Sequence, residues 1–123
     1  FLLKYISKKL ICTNPDLIVH RGNVEELCAG SVAKVFEELG GEVIYFGKPH
    51  KEVYDMCFSS NEKVLAIGDN LRTDIKGANN LKIDCIFISD GVHRKEFNNF
   101  SELKKLLEKY KVNADFFQKE LKW

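Results

Sequence analysis

Short apolar runs alternate with amphipathic stretches along this 123-residue chain, which predicts an α/β fold with a parallel sheet and helices on both faces. Three observations carry that expectation. Val64-Leu65-Ala66-Ile67 is a continuous apolar run of the kind found in a strand covered on both sides. Cys85-Ile86-Phe87-Ile88 is a second such run, closed by Ser89-Asp90-Gly91. Between the early strand-like segments, Val32, Val35, Phe36 and Leu39 follow the i, i+3, i+4, i+7 rule of a helix with one buried face.

Leu2, Leu3 and Ile6 fit a short helical end, and Leu10-Ile11-Cys12 reads as a brief buried strand stopped by Asn14-Pro15-Asp16. His20-Arg21-Gly22-Asn23 reads as a turn between two short extended pieces. The helix expected from Ser31 ends at Gly40-Gly41, which supply a left-handed stop. Val43-Ile44-Tyr45-Phe46 is β-rich and runs into Gly47-Lys48-Pro49-His50. Pro49 suits the first position of a helix, with Val53, Met56 and Cys57 as its apolar stripe and Lys48 at its amino end. After the loop at Asn61-Glu62, the strand Val64–Ile67 leads into Gly68-Asp69-Asn70-Leu71-Arg72-Thr73-Asp74 and a helix through about Asn80. The stretch after Ser101 carries Leu103, Leu106, Leu107 and Tyr110 on one face, with the lysines of 104–111 on the solvent side. A last helical piece is expected after Asn113, with Phe117 and Leu121 on one side.

Nineteen basic and 18 acidic residues leave a net charge of +1, so nothing electrostatic points to nucleic acid or an acidic lipid surface as partner. A small polar ligand or a neutral surface fits better. No apolar run approaches the length of a membrane span. Cys12, Cys28, Cys57 and Cys85 lie far apart with no CxxC pair, and His20, His50 and His93 are scattered, so buried reduced thiols and a cytoplasmic setting are expected rather than a zinc site. The single methionine is Met56, and the chain is therefore expected to have been cut from something longer.

Ligands in parallel α/β folds sit at the carboxyl ends of strands, and two complementary features fall there. Asp69 and Asp74 are five residues apart, one just after a strand and one in the first turn of the next helix. Two such carboxylates can ligate a hard cation such as Mg²⁺. The same residues also have a purely structural explanation, Asp74 offsetting the helix dipole and Asp69 capping the helix. Lys48 is the second feature, an ammonium at a helix amino end where backbone N–H groups favour an anion. Lysine, carboxylates, divalent metal and helix terminus together describe a phosphate site.

Gly47-Lys48-Pro49, followed by Ile67-Gly68-Asp69-Asn70-Leu71-Arg72-Thr73-Asp74-Ile75, resembles the third and fourth motifs of the haloacid dehalogenase (HAD) superfamily. It resembles most the class IIA hydrolases of the NagD type. Thr13-Asn14-Pro15-Asp16 and Cys28-Ala29-Gly30 are similar to that class near the end of its inserted cap, and the tail down to Trp123 resembles a natural carboxyl end. The resemblance implies a Rossmann-like core, with residues 1–42 the last part of an α/β cap and 43–123 the carboxyl-terminal half of the core. It implies Mg²⁺ as cofactor and a small phosphorylated metabolite, a sugar phosphate or nucleotide, as substrate. By the same match Lys48 balances charge on the nucleophile and phosphoryl group, and Asp69 binds the metal. Asp74 supports the metal directly or through water, Asn14 and Asp16 face substrate from the cap loop, and His50 is a solvated neighbour.

The superfamily's first motif, Asp-x-Asp, supplies the nucleophile and the acid/base, and no Asp-x-Asp occurs here. The resemblance therefore implies an enzyme that forms and hydrolyses an aspartyl-phosphate only when intact, and a chain that by itself is inactive. The alternative is a non-catalytic remnant serving as a binding or assembly module, self-associating or pairing with a separate amino-terminal half. A receiver-like Mg²⁺ domain ranks last, because Lys48 precedes Asp69.

Overall fold

In a computed structural model, which describes residues 1–122, the chain forms seven strands and four α-helices in mixed α/β order. Trp123 lies outside the described residues. After a 3₁₀ turn at Leu2–Tyr5 come β1 (Lys9–Cys12), β2 (Ile18–Arg21), β3 (Val24–Leu27), α1 (Ala29–Glu38) and β4 (Glu42–Tyr45). Then follow α2 (Lys51–Asp55), β5 (Leu65–Gly68), a π-turn at Leu71–Ile75, α3 (Lys76–Leu81), β6 (Asp84–Ile88), α4 (Phe100–Tyr110) and β7 (Phe116–Gln118).

The strands fall into three groups. β1 and β4 pair in parallel, Lys9 opposite Glu42 through Cys12 opposite Tyr45, with α1 as the connection packed on both. β2 and β3 form an antiparallel hairpin whose two-residue turn, Gly22-Asn23, uses the left-handed φ of +60° at Gly22. β5, β6 and β7 form a parallel sheet in that order. Registered partners in a parallel sheet point to the same side, so Ala66, Cys85, Phe87 and Phe117 share one face while Ile67, Ile86 and Phe116 share the other.

The principal core lies on the first of those faces. Leu71, Ile75 and Ala78 from the π-turn and α3, Cys85 and Phe87 from β6, and Leu103, Leu106 and Leu107 from α4 form one buried cluster closed by Val112. α4 builds it as its spacing predicts, with Asn99 accepting a hydrogen bond from the Glu102 N–H at 3.0 Å as its cap.

Five expectations are corrected. The tail is strand, not helix: the Asp115 carboxylate accepts from the Cys85 N–H and its own N–H donates to the Cys85 carbonyl, which lays β7 along the open edge of β6. Val64–Ile67 is not covered on both faces, since Leu65 and Ile67 are 48% and 44% exposed. In α1 the buried line is Gly30, Ala33 and Phe36, whereas Val32, Val35 and Leu39 are exposed, because a two-stranded sheet covers only a narrow stripe of the helix. Pro49 is not the first helical residue. It sits in a turn closed by the His50 N–H donating to the Gly47 carbonyl, His50 is the extended N-cap of α2, and the short helix leaves Met56 and Cys57 exposed. The thiols are all free, but only Cys12 and Cys85 are buried.

Candidate active site

β1, β4, β5 and β6 all deliver loops to one cleft of about 350 Å³ from their carboxyl ends. Asn14 and Asp16 follow β1, Lys48 follows β4, Asp69 and Asn70 follow β5, and Asp90, Gly91 and Val92 follow β6. The structure therefore brings together all five residues that the sequence singles out. The hairpin's Ile18, Val19 and His20 wall the other side, with Arg94 at the rim. His50 is not among the lining residues and stacks on Tyr45 instead. A slightly larger cavity between α4 and β7, about 450 Å³, has only Glu108 as a carboxylate and none of this convergence.

Both acidic side chains are seated against glycines. A Cβ at Gly68 would collide with the Asp74 carboxylate, and one at Gly91 would collide with the Asp69 side chain, so each carboxylate occupies space that only glycine leaves open. Asp69 does not cap the helix. Its Oδ2 accepts from the Val92 N–H at 2.9 Å, while the N-cap is Asn70, whose Oδ1 accepts from the Arg72 N–H at 3.0 Å. Asp74 stands in the first turn, where a negative charge is favourable. Its Oδ2 accepts from the Asn70 N–H at 3.1 Å and its Oδ1 pairs with the Lys48 ammonium.

That pair controls the charge of the lysine. Partial burial alone would lower the Lys48 pKa, but the hydrogen bond to Asp74 and the charges of Asp74 and Asp16 outweigh it and hold the group above 10.5. Lys48 is thus a fixed cation beside two carboxylates.

Three contributors escape the motif reading. Asn70 orients the turn, as above. Thr73 is buried, and its hydroxyl donates to Asp16 Oδ1 at 2.8 Å. His93 is 1% exposed, accepts the Leu71 N–H on Nε2 at 3.1 Å and places Nδ1 2.6 Å from Glu96. With Val92 it clamps both ends of the Asp69–Leu71 segment to the loop after β6. Asn70 and Thr73 stand inside the motif, so their side-chain types offered a signal. His93 offered none, because its partner is 22 residues away.

Among the described residues no group of three His, Cys, Asp or Glu is arranged to hold a metal ion. The donors nevertheless suit Mg²⁺, which needs only one or two carboxylates when phosphate and water supply the rest. Asp69 commits only Oδ2, while both Asp74 oxygens have partners.

The model of the HAD-hydrolase-like family matches residues 45–121, and the chain belongs to that family. No curated protein is significantly similar to it. Among solved structures it is similar to a haloacid dehalogenase-like hydrolase from Brucella suis 1330, with 29% identity and a TM-score of 0.76 over 98% of this chain and 48% of that one. It is also similar to a possible sugar phosphatase of the HAD superfamily from Cytophaga hutchinsonii ATCC 33406 (22% identity, TM-score 0.72, 98% of this chain and 45% of that one). A p-nitrophenyl phosphatase from Archaeoglobus fulgidus matches at 20% identity and a TM-score of 0.66, over 89% of this chain and 42% of that one. The last two likenesses establish the fold, a Rossmann-type α/β architecture. The chain spans about half the length of these solved relatives.

Proposed function

We propose that this chain is the charge-stabilising half of a Mg²⁺-dependent class IIA phosphatase acting on a small phosphorylated metabolite, a sugar phosphate or nucleotide. The observation that carries the reading is the convergence of Lys48, Asp69 and Asp74 at the carboxyl ends of β4 and β5. Asp69, through its uncommitted Oδ1, is the direct ligand, and Asp74 supports the metal through water while holding Lys48. Bound there, Mg²⁺ would neutralise charge on the transferring phosphoryl group. Lys48, held by Asp74, would neutralise charge on the same group while keeping its proton. Asn14, together with Asp16, faces the leaving group from the loop after β1. None of these residues is a nucleophile positioned to accept a phosphoryl group, and the covalent step belongs to a carboxylate outside this chain.

The domain division supports the same parentage. Sequence places a boundary at 42/43, but β1 and β4 pair across it, which supports assigning β4 to the cap-derived unit and placing the boundary near Gly47. A reducing, cytoplasmic setting belongs to the same reading, and no helix among the described residues is long and apolar enough to cross a membrane.

The test is equilibrium binding of Mg²⁺ and inorganic phosphate to the chain, followed by amide chemical shifts, with a generic phosphomonoester assay alongside. Expected are Mg²⁺ shifts centred on Asp69 that Asp69→Asn removes, and no turnover. Absence of any Mg²⁺ response at the cleft would reject the metal assignment, and Mg²⁺-dependent phosphate release would reject the claim that the chain alone is inactive.

A second reading has one observation in its favour. Leu65 and Ile67 on β5, with Phe116 at 54% exposure on β7, leave an apolar sheet face beside the unpaired edge of β5. That surface suits a binding or assembly module, by self-association or by pairing with an amino-terminal half. Light scattering decides between a clean monomer and an associating species.

A further inference from the structure

We propose that Asp16 is a positioning residue for the metal-binding turn, beyond any contact its second oxygen makes with substrate. Its Oδ1 accepts two hydrogen bonds from the other sheet unit, from Asn70 Nδ2 and from the Thr73 hydroxyl, both at 2.8 Å. These partners lie 54 and 57 residues downstream.

The first bond fixes more than a side chain. An asparagine amide has one donating and one accepting end. With Nδ2 turned to the Asp16 carboxylate, Oδ1 of Asn70 is forced toward the Arg72 N–H, which it caps. The capped turn then presents the Asn70 N–H to Asp74 Oδ2, and Asp74 Oδ1 holds Lys48. A chain of four groups thus runs from the loop after β1 to the lysine. Flipping the Asn70 amide would set its donor against the Arg72 N–H and its oxygen against the Asp16 carboxylate, which would keep only the Thr73 hydroxyl on Oδ1.

Asp16 is itself held in place. Its N–H donates to Asn14 Oδ1 at 3.2 Å, and its carbonyl accepts from the Gly30 N–H at 3.1 Å. A Cβ at Gly30 would collide with the Pro15 and Asp16 carbonyls, so the first turn of α1 presses directly on the loop that carries the pin. Arg94 adds a second tie between the units, donating to the Gly22 carbonyl at 2.9 Å. The loop after β1 is thus joined to the turn that carries Asp74 through Asp16, and the hairpin is joined to the loop after β6 separately through Arg94.

The inference that this setting serves Mg²⁺ rests on the function proposed above; the hydrogen-bond linkage does not. The test is amide hydrogen exchange by NMR on the whole chain. In Asp16→Ala, the Arg72 and Asn70 amides should exchange at least tenfold faster while the β6 amides of Cys85 and Phe87 keep their protection. Asp16→Asn, which retains an accepting oxygen, should restore the Arg72 and Asn70 amides to within about threefold of the parent. Thr73→Val should accelerate them severalfold, and the Asp16→Ala, Thr73→Val pair should be no worse than Asp16→Ala alone. Unchanged exchange in Asp16→Ala, or an equal loss at Cys85 and Phe87, overturns the linkage. If Asp16→Ala does not fold, Asp16→Asn and Thr73→Val decide: parent-like exchange in Thr73→Val, or no protection in Asp16→Asn, overturns it. Mg²⁺ titration separates the two claims. A parent chain that ignores Mg²⁺ defeats the phosphatase reading while the exchange pattern stands, whereas Mg²⁺ binding unaffected by Asp16→Ala defeats the positioning role.

Discussion

Residues 65–118 and residues 9–45 both carry strands into the cleft, but they are built to different depths. The first region buries a continuous cluster from Leu71 to Val112 beneath β5–β6–β7. In the second, Cys12, Ala33 and Phe36 are the buried apolar side chains, and Ile11, Val32, Val35 and Leu39 face outward. The difference teaches where rigidity resides. The proposed metal carboxylates, Asp69 and Asp74, stand on the well-packed unit, where a displaced ligand would cost most, while the candidate substrate-facing residues Asn14 and Asp16 stand on the thin one and reach the site through specific polar ties.

The largest expected effect breaks the thick side. Phe87 is fully buried, with Phe97, Phe117 and His93 around its ring, so Phe87→Ala should destabilise by about 3–5 kcal/mol. Urea melts would show it, and a loss under 1 kcal/mol would mean that the cluster is not one cooperative unit. Phe36→Ala should cost about 3 kcal/mol, the low end of the same range, because the surrounding unit is already half open. Its signature is selective: exchange protection should vanish in β1 and β4 and persist in β5–β7. Uniform loss across both regions would erase the contrast.

The charged tie between the regions gives a pH signature. The folded pKa of Lys48 is raised above 10.5 despite its burial, chiefly by the bond to Asp74. A raised lysine contributes stability that is complete below its unfolded pKa and is lost as pH rises through the folded value. Stability should therefore fall in the alkaline range above 10.5, and Asp74→Asn should flatten that fall. The effect is small because the lysine side chain is 46% exposed; melts at pH 8 and pH 11 measure it, and an unchanged slope in Asp74→Asn would remove the pair from consideration.

The smallest effect concerns thiol access. Cys57 is exposed, whereas burial pushes the Cys85 thiol pKa up and keeps it neutral. A disulfide reagent should modify Cys57 first and Cys85 only on unfolding. Rapid modification of Cys85 in the native chain would show that the β6 core opens readily.

Several parts of this structure were legible from local pattern alone. The helical stretch after Gly68, the strand at 84–88 and helix α4 follow from apolar runs and periodicity, although the opening π-turn of that stretch does not. The tail misled because Phe117 and Leu121 have helical spacing, yet the open edge of β6 offered a row of backbone partners that no local signal reveals. Val32, Val35 and Leu39 misled for a related reason: helical periodicity identifies an amphipathic helix but not which of two adjacent stripes a narrow sheet will cover.

The sequence by itself determined the residue chemistry of the site. Lys48, Asp69 and Asp74 sit within a few residues of strand ends, and chain direction in a parallel fold sends all such ends to one side. Only the tertiary structure decided how those groups are held: Asp16 on Asn70 and Thr73, His93 on Leu71, and Val92 on Asp69 join positions 22 to 57 residues apart. Hydrogen bonds depend on distance in space and not along the chain. A motif can name the groups that meet a phosphate, but the partners that fix their angles come from packing.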